Sequence, residues 1–574
     1  MPTSIPSATK AGEPVAVPAL AGLSIGSCLR AAVVALAPWI AALGLAVLSL
    51  WLFTRNNDFP VSYHPDEHTK AEQIMLPWQP RNFNHPLLML ELANLWRQAF
   101  DVPIQLRELV IAGRNCSALL ASIGVFAAAL TGYVVSGWVG LLVVGSAMAL
   151  CPPLLVYAHY FKEDTALVCG IMLAMLGAAL TVHSRQWWTQ VLSAGLLGLG
   201  CAAAISGKYV GAMTIVPCLA ALLSARITRW WVSPARLITF SLVMLAAVVA
   251  INFRAFRDWK RLELIQPADY AIREEFDHAT SGHSGLRLRS PNLYCLRIAA
   301  GETMPHLWLL GGAGLLALVA FPPRRPSRWA LVLAGFPLTC ILMLSYNRIP
   351  FARYALPITV CLYTVLSMLV AAGISRLQRH RRLPGMLLLA TSVICIVAFQ
   401  GRRCANFNAQ FADDSRQRLR EWVARNLPPD SRIVADGYTD LGGQGDPWRF
   451  PDQSRLRQRV TQLMFAADAA PSPADLANQG IDYVAVASFS FERFLMPGVE
   501  PIPGYQRQQA FHQRGEFYRK LFEHGQLVWK SVPCPSTNAY VNMELRVYRI
   551  DHLADPNRPR PPPRVNPLRR MLRW

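Results

Sequence analysis

The chain has 574 residues, of which 53% are hydrophobic and 16% are charged, and its mean hydropathy is +0.26. Soluble domains carry about 25% charged residues, so this composition argues against a soluble helical core and indicates a polytopic membrane protein. The net charge of +21 comes without zinc-finger spacing or an aromatic RNA-binding motif, which argues against a nucleic-acid-binding protein. Basic residues retained in cytoplasmic loops explain part of the excess.

Apolar runs recur along the chain and predict eleven membrane-spanning helices. The first run is too long, and has the wrong flanks, for a cleaved signal peptide. The predicted spans are Ala31–Phe53, Cys116–Tyr133, Trp138–Val156, Thr165–Val182, Trp188–Ile205, Tyr209–Leu223, Leu237–Phe253, Leu307–Phe321, Trp329–Leu344, Tyr354–Ile374 and Pro384–Phe399.

The basic residues of the short loops predict the orientation of these spans. Every second connection is basic or neutral, and the basic ones read "HSRQ", "SARITRWWVSPAR", "PPRRPSR" and "SRLQRHRR". Loops rich in lysine and arginine stay in the cytoplasm, which places the N-terminal segment 1–30 there as well. The large first loop 54–115, "HYFKED", "SGKYVG", "YNRIPFARY" and the C-terminal region are then expected to share the outer face.

Residues 401–552 are predicted to form an α/β domain outside the membrane, following the membrane domain 31–400. The segment "QRLREWVARNLPPDSRIVADG" is typical of an amphipathic helix, a Pro-Pro stop and a strand, and "ADLANQGIDYVAVASF" repeats that order. "NMELRVYRI" predicts a closing strand. The tail 553–574 is rich in proline and arginine and is predicted to be disordered.

Ionisable residues are concentrated where the first outer loop begins, in "YHPDEHTKAEQ". An Asp-Glu pair just past a span is solvated in many proteins or caps a juxtamembrane helix. Two further polar stretches on the same predicted face, "NFNHPLLMLELANLW" and "HYFKED", favour a functional site instead. Only seven of the 56 basic residues are lysines, and four of these, Lys70, Lys162, Lys208 and Lys260, lie in the predicted outer loops.

These residues resemble the GT-C membrane glycosyltransferases, and most closely the protein O-mannosyltransferases and lipid A aminoarabinose transferases. The resemblance rests on "HPDE", "NHPLLMLELANLW" and "HYFKED", and continues through "SGKY" and "RYALPI". It implies a sugar donor carried on polyprenyl phosphate, transfer on the outer face of the membrane, and inversion at the anomeric carbon. The sequence departs from the pattern at His85, where many bacterial relatives have lysine before the proline.

The resemblance implies roles for three carboxylates. Because the acceptor hydroxyl must lose a proton as it attacks, a carboxylate within hydrogen-bonding reach is needed as the base. Asp66 is the candidate base, and Glu67 is the candidate helper that orients the acceptor or shares a metal. Asp164 is similar to the second acidic residue of the family, which places the donor phosphate, the acceptor or a metal.

Cations are expected to hold the leaving lipid phosphate. Lys208 and Arg353 are the first candidates, and Lys162 is the third. Both first candidates have structural alternatives, since Lys208 at a span end would also snorkel and Arg353 would also anchor an interface. His64 and His85 are further candidates for binding the donor phosphate or a divalent cation, and His68 and His283 are candidates for a divalent cation alone. Whether a divalent cation is needed stays open, because the resemblance extends to relatives with and without one.

Two functions from different classes remain: a glycosyltransferase with a lipid-linked donor, and a lipid-linked-sugar transporter without chemistry of its own. A transporter would place polar residues at mid-membrane, whereas here the ionisable residues gather at one face, which favours the transferase. A nucleotide-sugar donor is disfavoured, since no nucleotide-binding fingerprint is found. The expected location is a bacterial inner membrane, with a lipid, glycan or protein acceptor.

Overall fold

The computed structural model describes residues 25–59, 64–75, 85–225, 231–257, 280–282, 286–291, 293–322, 328–349, 351–442, 456–532 and 541–557. The helices of the membrane part are α1 (Ile25–Thr54), α2 (Pro65–Met75), α3 (Leu88–Ala99), α4 (Leu106–Ala149), α5 (Pro152–Ala158), α6 (Asp164–His183), α7 (Trp187–Gly207), α8 (Ile215–Ser224), α9 (Val232–Ile251), α10 (Phe253–Arg257), α11 (Tyr294–Glu302), α12 (Pro305–Ala320), α13 (Arg328–Leu344), α14 (Leu356–His380), α15 (Arg382–Cys395) and α16 (Arg402–Ala412). Helices α17 (Ser415–Asn426), α18 (Pro473–Asn478), α19 (Ser488–Leu495) and α20 (Tyr505–His524) follow. The strands are β1 (Leu286–Leu288), β2 (Arg432–Asp436), β3 (Arg459–Leu463), β4 (Tyr483–Ala487), β5 (Val499–Pro501), β6 (Gln526–Lys530) and β7 (Leu545–Arg549).

Each of the eleven predicted spans overlaps an apolar helix in the part of the chain that the structure describes, although Trp138–Val156 runs past the end of α4 into α5. Seven of these helices are long and apolar enough to cross a membrane, or eight if the bent pair Tyr294–Glu302 and Pro305–Ala320 is one span. The apolar segments Tyr209–Ser224 and Val332–Leu344 are shorter. The predicted fold class, a polytopic α-helical membrane protein with a small C-terminal α/β domain, is confirmed.

Helix α4 contains two of the predicted spans, because 44 residues run from Leu106 to Ala149 with a break in the middle. Ser136 and Gly137 leave the helical conformation there, and Gly137 has φ 62° and ψ −147°. The tight reversal replaces the short loop predicted between the second and third spans. A residue with a side chain would be strained at this positive φ, which explains the glycine.

The helices pack through small residues, as membrane helices do when backbones approach closely. Gly170 of α6 faces Ala204 of α7, and a Cβ at Gly170 would lie 2.2 Å from the backbone nitrogen of Ala204. Helix α4 packs against both α1 and α6, and α14 packs against α4 and α12. The resulting bundle has one end at which the first turns of α2 and α6, the α7–α8 junction and the start of α14 meet.

The C-terminal part contains a five-stranded sheet in the order β3-β2-β4-β7-β6. Strand β2 is parallel to β3 and β4, whereas β7 is antiparallel to β4 and β6. The two helix–strand units predicted from the sequence correspond to α17–β2 and α18–β4, and the predicted closing strand is β7. Of the tail 553–574, residues 558–574 lie outside the described residues.

The last membrane helix extends past the predicted domain boundary at residue 400. Helix α15 continues through a π-helical turn, Ile396–Gly401, into α16, which ends at Ala412. No proline interrupts this stretch and its single glycine is tolerated in a helix interior. The first helix that precedes a strand of the α/β domain, α17, begins at Ser415.

Candidate active site

Asp66 and Glu67 lie in the first turn of α2, which begins at Pro65. Proline suits a first helical position and carboxylates suit a helix N-terminus, so "PDE" favours a helix start at this point. Successive residues of a helix point about 100° apart. The Asp66 side chain is accordingly 41% exposed, whereas the Glu67 side chain is fully buried.

Glu67 forms a buried bidentate ion pair with Arg114 of α4. Nε and Nη2 of Arg114 donate to the two Glu67 carboxylate oxygens at 2.9 and 2.6 Å, and Nη1 donates to the carbonyls of Asn57 and Phe59. The backbone N–H of Phe161 donates to Glu67 Oε1 at 2.8 Å. Glu67 is thus fully buried and held by Arg114 and by the backbone of Phe161, and its helper role toward an acceptor or a metal stays a prediction.

Asp66 lies between two cations that the sequence assigns to the donor phosphate. Lys162, in the turn before α6, donates to Asp66 Oδ2, and Arg353 Nη1 lies 3.9 Å from the same oxygen. Arg353 belongs to a 3₁₀ turn, Ala352–Ala355, just before α14. The half-exposed carboxylate is thus flanked by a buried lysine and a largely buried arginine.

Glu163 occupies the centre of the cluster and pairs with Lys70. Both side chains are buried, with exposed fractions of 3% and 7%. Lys162 Nζ and His85 Nε2 lie 3.6 and 4.0 Å from the other oxygen, Glu163 Oε2. Glu163 therefore connects α2, His85 of the second polar stretch, and the turn before α6.

Asp164 and Lys208 form the next ion pair of the cluster. Lys208 Nζ donates to Asp164 Oδ1 at 3.0 Å, and both side chains are buried. The same ammonium lies 4.4 Å from the ring centroid of Tyr354, beside Arg353 in the chain. Lys208 thus faces the carboxylate cluster, which disfavours the snorkelling alternative.

Charge–charge contacts and burial shift the pKa values of groups in the loops of this site. Burial, the largest influence, raises the pKa of Asp66, but the neighbouring Lys162 and Arg353 outweigh it and hold the pKa well below its usual range. Burial lowers the pKa of Lys70 and of Lys162. Burial also lowers the pKa of His64 and, together with the nearby lysines, that of His85. Asp66 is therefore ionised and both histidines are neutral near pH 7.

The described part of the cluster carries an excess of positive charge when its lysines are protonated. Four cations face three carboxylates, which leaves one positive charge over. The cations are Lys70, Lys162, Lys208 and Arg353, and the carboxylates are Asp66, Glu163 and Asp164. Such an excess, on lysines that act as point charges and on an arginine fork, suits a phosphate group.

The carboxylates of the cluster are all engaged by lysines. Within the described ranges, no three His, Cys, Asp or Glu side chains gather where they could hold a metal ion. His283, another candidate ligand from the sequence, lies outside those ranges. The cluster thus presents the ammonium groups of Lys70, Lys162 and Lys208 and the guanidinium of Arg353 beside its carboxylates.

The structure brings together six of the predicted site residues: Asp66, Lys162, Asp164, Lys208, Arg353 and His85. His64 lies beside them, and its Nδ1 accepts a hydrogen bond at 3.2 Å from the backbone N–H of Asp66. Three of the few lysines in the chain, Lys70, Lys162 and Lys208, meet here. Sequence reasoning missed Glu163, although it stands between two residues that were chosen. It also missed Arg114, whose only signal is a charged residue two positions before an apolar run.

Comparisons with known proteins give matches among solved structures. No protein-family model matches the chain, and no similar protein is found among the curated proteins. ArnT from Cupriavidus metallidurans bound to undecaprenyl phosphate is 15% identical, over 90% of this chain and 99% of that chain, with a TM-score of 0.45. The archaeal oligosaccharyltransferase AglB from Archaeoglobus fulgidus, in complex with an inhibitory peptide and a dolichol-phosphate, is 10% identical over 86% of this chain and 73% of that chain, with a TM-score of 0.46.

A third match covers a smaller part of the chain. The S. cerevisiae protein O-mannosyltransferase Pmt1–Pmt2 complex bound to the sugar donor is 19% identical, over 38% of this chain and 34% of that chain, with a TM-score of 0.33.

Proposed function

We propose that this protein is an integral-membrane glycosyltransferase of the GT-C type that moves a sugar from a polyprenyl-phosphate carrier to an acceptor. The observation that carries the proposal is the half-exposed Asp66 carboxylate between Lys162 and Arg353. This pairing places a proton acceptor beside cations suited to the leaving phosphate. All the surrounding charges lie at one end of the bundle, where a lipid-borne substrate presents its headgroup.

The donor phosphate binds Lys162 and Arg353 in this proposal, with Lys208 and Lys70 supplying further positive charge. The ammonium groups of Lys70, Lys162 and Lys208 are buried, and charge stabilisation is stronger in such water-poor surroundings than in water. Glu163 and Asp164 hold these lysines in place before the donor arrives. The cations then need little rearrangement when negative charge develops on the phosphate oxygens.

Asp66 accepts the proton of the acceptor hydroxyl. As the hydroxyl oxygen bonds to the anomeric carbon, the bond from that carbon to the phosphate oxygen breaks with its electron pair. The proton passes to Asp66, and one such displacement inverts the anomeric centre. With its low pKa Asp66 is a weak base, but a bound phosphate offsets Lys162 and Arg353 and so raises that pKa.

The proposal includes lipid, glycan and protein acceptors and both hexosyl and pentosyl donors. It places the site at the outer face of a bacterial inner membrane, with the N-terminus in the cytoplasm and the α/β domain in the periplasm. A divalent cation, if the enzyme uses one, would bind together with the donor phosphate. The basic loops between the predicted spans support this orientation.

The α/β domain contributes to the site through the segment before α14. Phe489 of α19 stacks on Phe351 with ring centroids 6.1 Å apart, two residues from Arg353. Strand β1 pairs with β5 of the domain, and the N–H of Leu288 donates to the carbonyl of Arg348. These contacts hold the Arg353 segment, so in this proposal the domain acts on donor binding.

The test is sugar transfer in proteoliposomes that contain radiolabelled polyprenyl-phosphate sugars and a membrane extract as acceptor. We expect transfer with the wild type, a loss of about a hundredfold or more with Asp66→Asn, and little change with Asp58→Asn, the control at an exposed carboxylate of the same loop. Unchanged transfer with Asp66→Asn would remove Asp66 from the mechanism and leave Asp164 as the candidate base.

The same preparation tests the transporter alternative. A protected label on the lumenal side, without a glycosylated product, would favour transport of the lipid-linked sugar. A labelled glycosylated product that forms with the wild type but not with Asp66→Asn would favour the transferase and would identify the acceptor.

A further inference from the structure

A basic cavity lies at the end of the bundle opposite the Asp66 site. Helix α4 runs from Arg114 in the site to its break at Ser136, and at 1.5 Å per residue these positions are about 33 Å apart. Helix α14 likewise begins beside Arg353 and ends at His380. A cavity of about 670 Å³ opens where the break in α4 meets the end of α14 and the start of α15.

The wall of this cavity carries Arg376, Arg379 and Arg382, and none of the described residues that line it is acidic. Arg376 is fixed, because its Nε and Nη2 each donate at 2.8 Å to the carbonyls of Phe321 and Pro322 after α12. Arg379 and Arg382 are exposed. We call the cavity together with Arg376, Arg379 and Arg382 the arginine cleft.

The backbone on the opposite wall keeps the cavity open. Gly137 lines it, and a Cβ added there would meet nothing within 4 Å. Ser375 Oγ donates at 3.3 Å to the carbonyl of Ser136, which ties the break in α4 to α14. The space between the arginines and the break is therefore built into the helix contacts.

The surroundings of the arginine cleft are those of a membrane interface. Trp138 is 47% exposed and packs edge-on against Tyr133, as aromatic residues do at the level of lipid headgroups. Below the arginines, α15 exposes Leu383, Met386 and Leu387 at 64%, 47% and 59%. The cavity, lined by arginines on one side and by apolar residues such as Met386 on another, thus continues into the apolar surface of α15.

We propose that the arginine cleft binds the headgroup of an anionic glycerophospholipid. Arg379 and Arg382 hold the phosphodiester, and an acyl chain lies along the exposed side of α15. The continuity of cavity and apolar surface favours a membrane lipid over a free phosphate, which would use the arginines alone. This site does not depend on the chemistry at Asp66.

The test is native mass spectrometry of the full chain, released from micelles that contain phosphatidylglycerol and phosphatidylcholine. We expect the wild type to retain phosphatidylglycerol preferentially, and the Arg379→Ala/Arg382→Ala variant to bind it roughly tenfold to thirtyfold more weakly. Arg381→Ala is the matched control, since Arg381 is exposed on the same segment but does not line the cavity. The Arg381→Ala variant should retain phosphatidylglycerol as the wild type does.

A second variant tests whether lipid binding needs the space of the cavity in addition to the charge of its arginines. Ala372→Leu fills space in the lining of the cavity and keeps every arginine, so we expect it also to lose the lipid. Equal retention by wild type and both variants, or equal retention of phosphatidylcholine, would overturn the proposal. Complete displacement of the lipid by millimolar glycerol 3-phosphate would assign the arginine cleft to a soluble phosphate and would overturn the lipid site.

Discussion

Glu67 and Arg114 form a fully buried bidentate ion pair that joins the first turn of α2 to α4. The pair determines which of two adjacent carboxylates faces the open side of the site. With Glu67 held against α4, Asp66 is directed toward Lys162 and Arg353. The position of the candidate base therefore depends on a residue whose own side chain is fully buried.

Removing one partner of this pair should strongly destabilise the protein. Glu67→Ala leaves the Arg114 guanidinium buried without its carboxylate, which costs about 3–5 kcal/mol in comparable buried pairs. The measurement is thermal unfolding in detergent. Glu421→Ala, which removes one partner of the exposed pair with Arg425, is the control and should cost less than about 1 kcal/mol. Similar losses in the two variants would contradict the positioning role.

Donor binding should weaken at alkaline pH earlier than ordinary lysines would predict. Burial lowers the pKa of Lys70 and Lys162, and a lysine loses its charge as the pH rises through its pKa. The affinity for a polyprenyl-phosphate sugar should therefore begin to decrease at a pH lower than the usual lysine pKa of about 10.4. Equilibrium binding of a labelled donor between pH 6 and pH 10 measures this.

Lys162→Arg is the matched variant for the pH experiment, because arginine remains protonated throughout that range. It should keep more of its donor affinity at high pH than the wild type does. A wild-type affinity that is constant up to pH 10 would show that lysine charge does not hold the donor phosphate.

The stack of Phe489 on Phe351 should influence donor binding through Arg353. Arg493 lies 4.4 Å from the Phe489 ring centroid and 5.6 Å from that of Phe351, so the three side chains form one contact between the α/β domain and the site. Phe489→Ala should raise the KM for the donor several-fold, because the segment before α14 loses its support.

Phe522→Ala is the control for this contact. Phe522 packs on Phe491 and Tyr548 within the α/β domain, so its loss destabilises the same domain without touching Phe351. A matching rise in KM for both variants would attribute the effect to general destabilisation and would contradict the coupling.

Asp436, at the end of β2, should make the α/β domain less stable as the pH rises from about 4 to about 7. Burial raises the pKa of Asp436 to about 7, although its carboxylate accepts from Ala466, Ala487 and Tyr518. A folded-state pKa above the unfolded value near 3.9 means that the folded chain binds more protons in this range. The contribution of Asp436 to the stability of the α/β domain is therefore complete below pH 4 and disappears as the pH rises through about 7.

Hydrogen exchange of β2 and β4 in the full chain, corrected for the intrinsic rate at each pH, measures this dependence. Asp436→Asn should flatten it and cost about 1–3 kcal/mol, since an amide presents fewer acceptors to the same donors. Asp468→Asn, at a partly exposed aspartate of the same domain, should leave the dependence unchanged. A wild-type protection that is flat from pH 4 to 7 would contradict the prediction.

The apolar helices were predictable because hydropathy is a local property, and all eleven segments are found. The loop residues of the site were predictable as a set for a related reason. Once the spans alternate, Asp66, Lys162, Lys208 and Arg353 all fall at one end of the bundle. What sequence reasoning could not supply were the pairings. Whether Asp66 or Glu67 faces the cluster depends on Arg114, 47 residues away from Glu67.

The domain boundary shows the same limit. The composition changes near residue 401, yet the helix continues to Ala412, because backbone hydrogen bonding does not depend on whether lipid or water surrounds the side chains. Glu163 also escaped attention, since its contacts with Lys70 and His85 require α2 and the second polar stretch to pack together.

The pairing of β1 with β5 has a consequence for biogenesis. Leu286 lies opposite Pro501 in this ladder, so β1, whose Leu288 also donates to the carbonyl of Arg348, has no strand to pair with until the ribosome has synthesised most of the α/β domain. The membrane helices can insert in order as they emerge, but the support of the Arg353 segment is completed last. A chain truncated before Val499 would therefore reach the membrane with its helices and without a finished site.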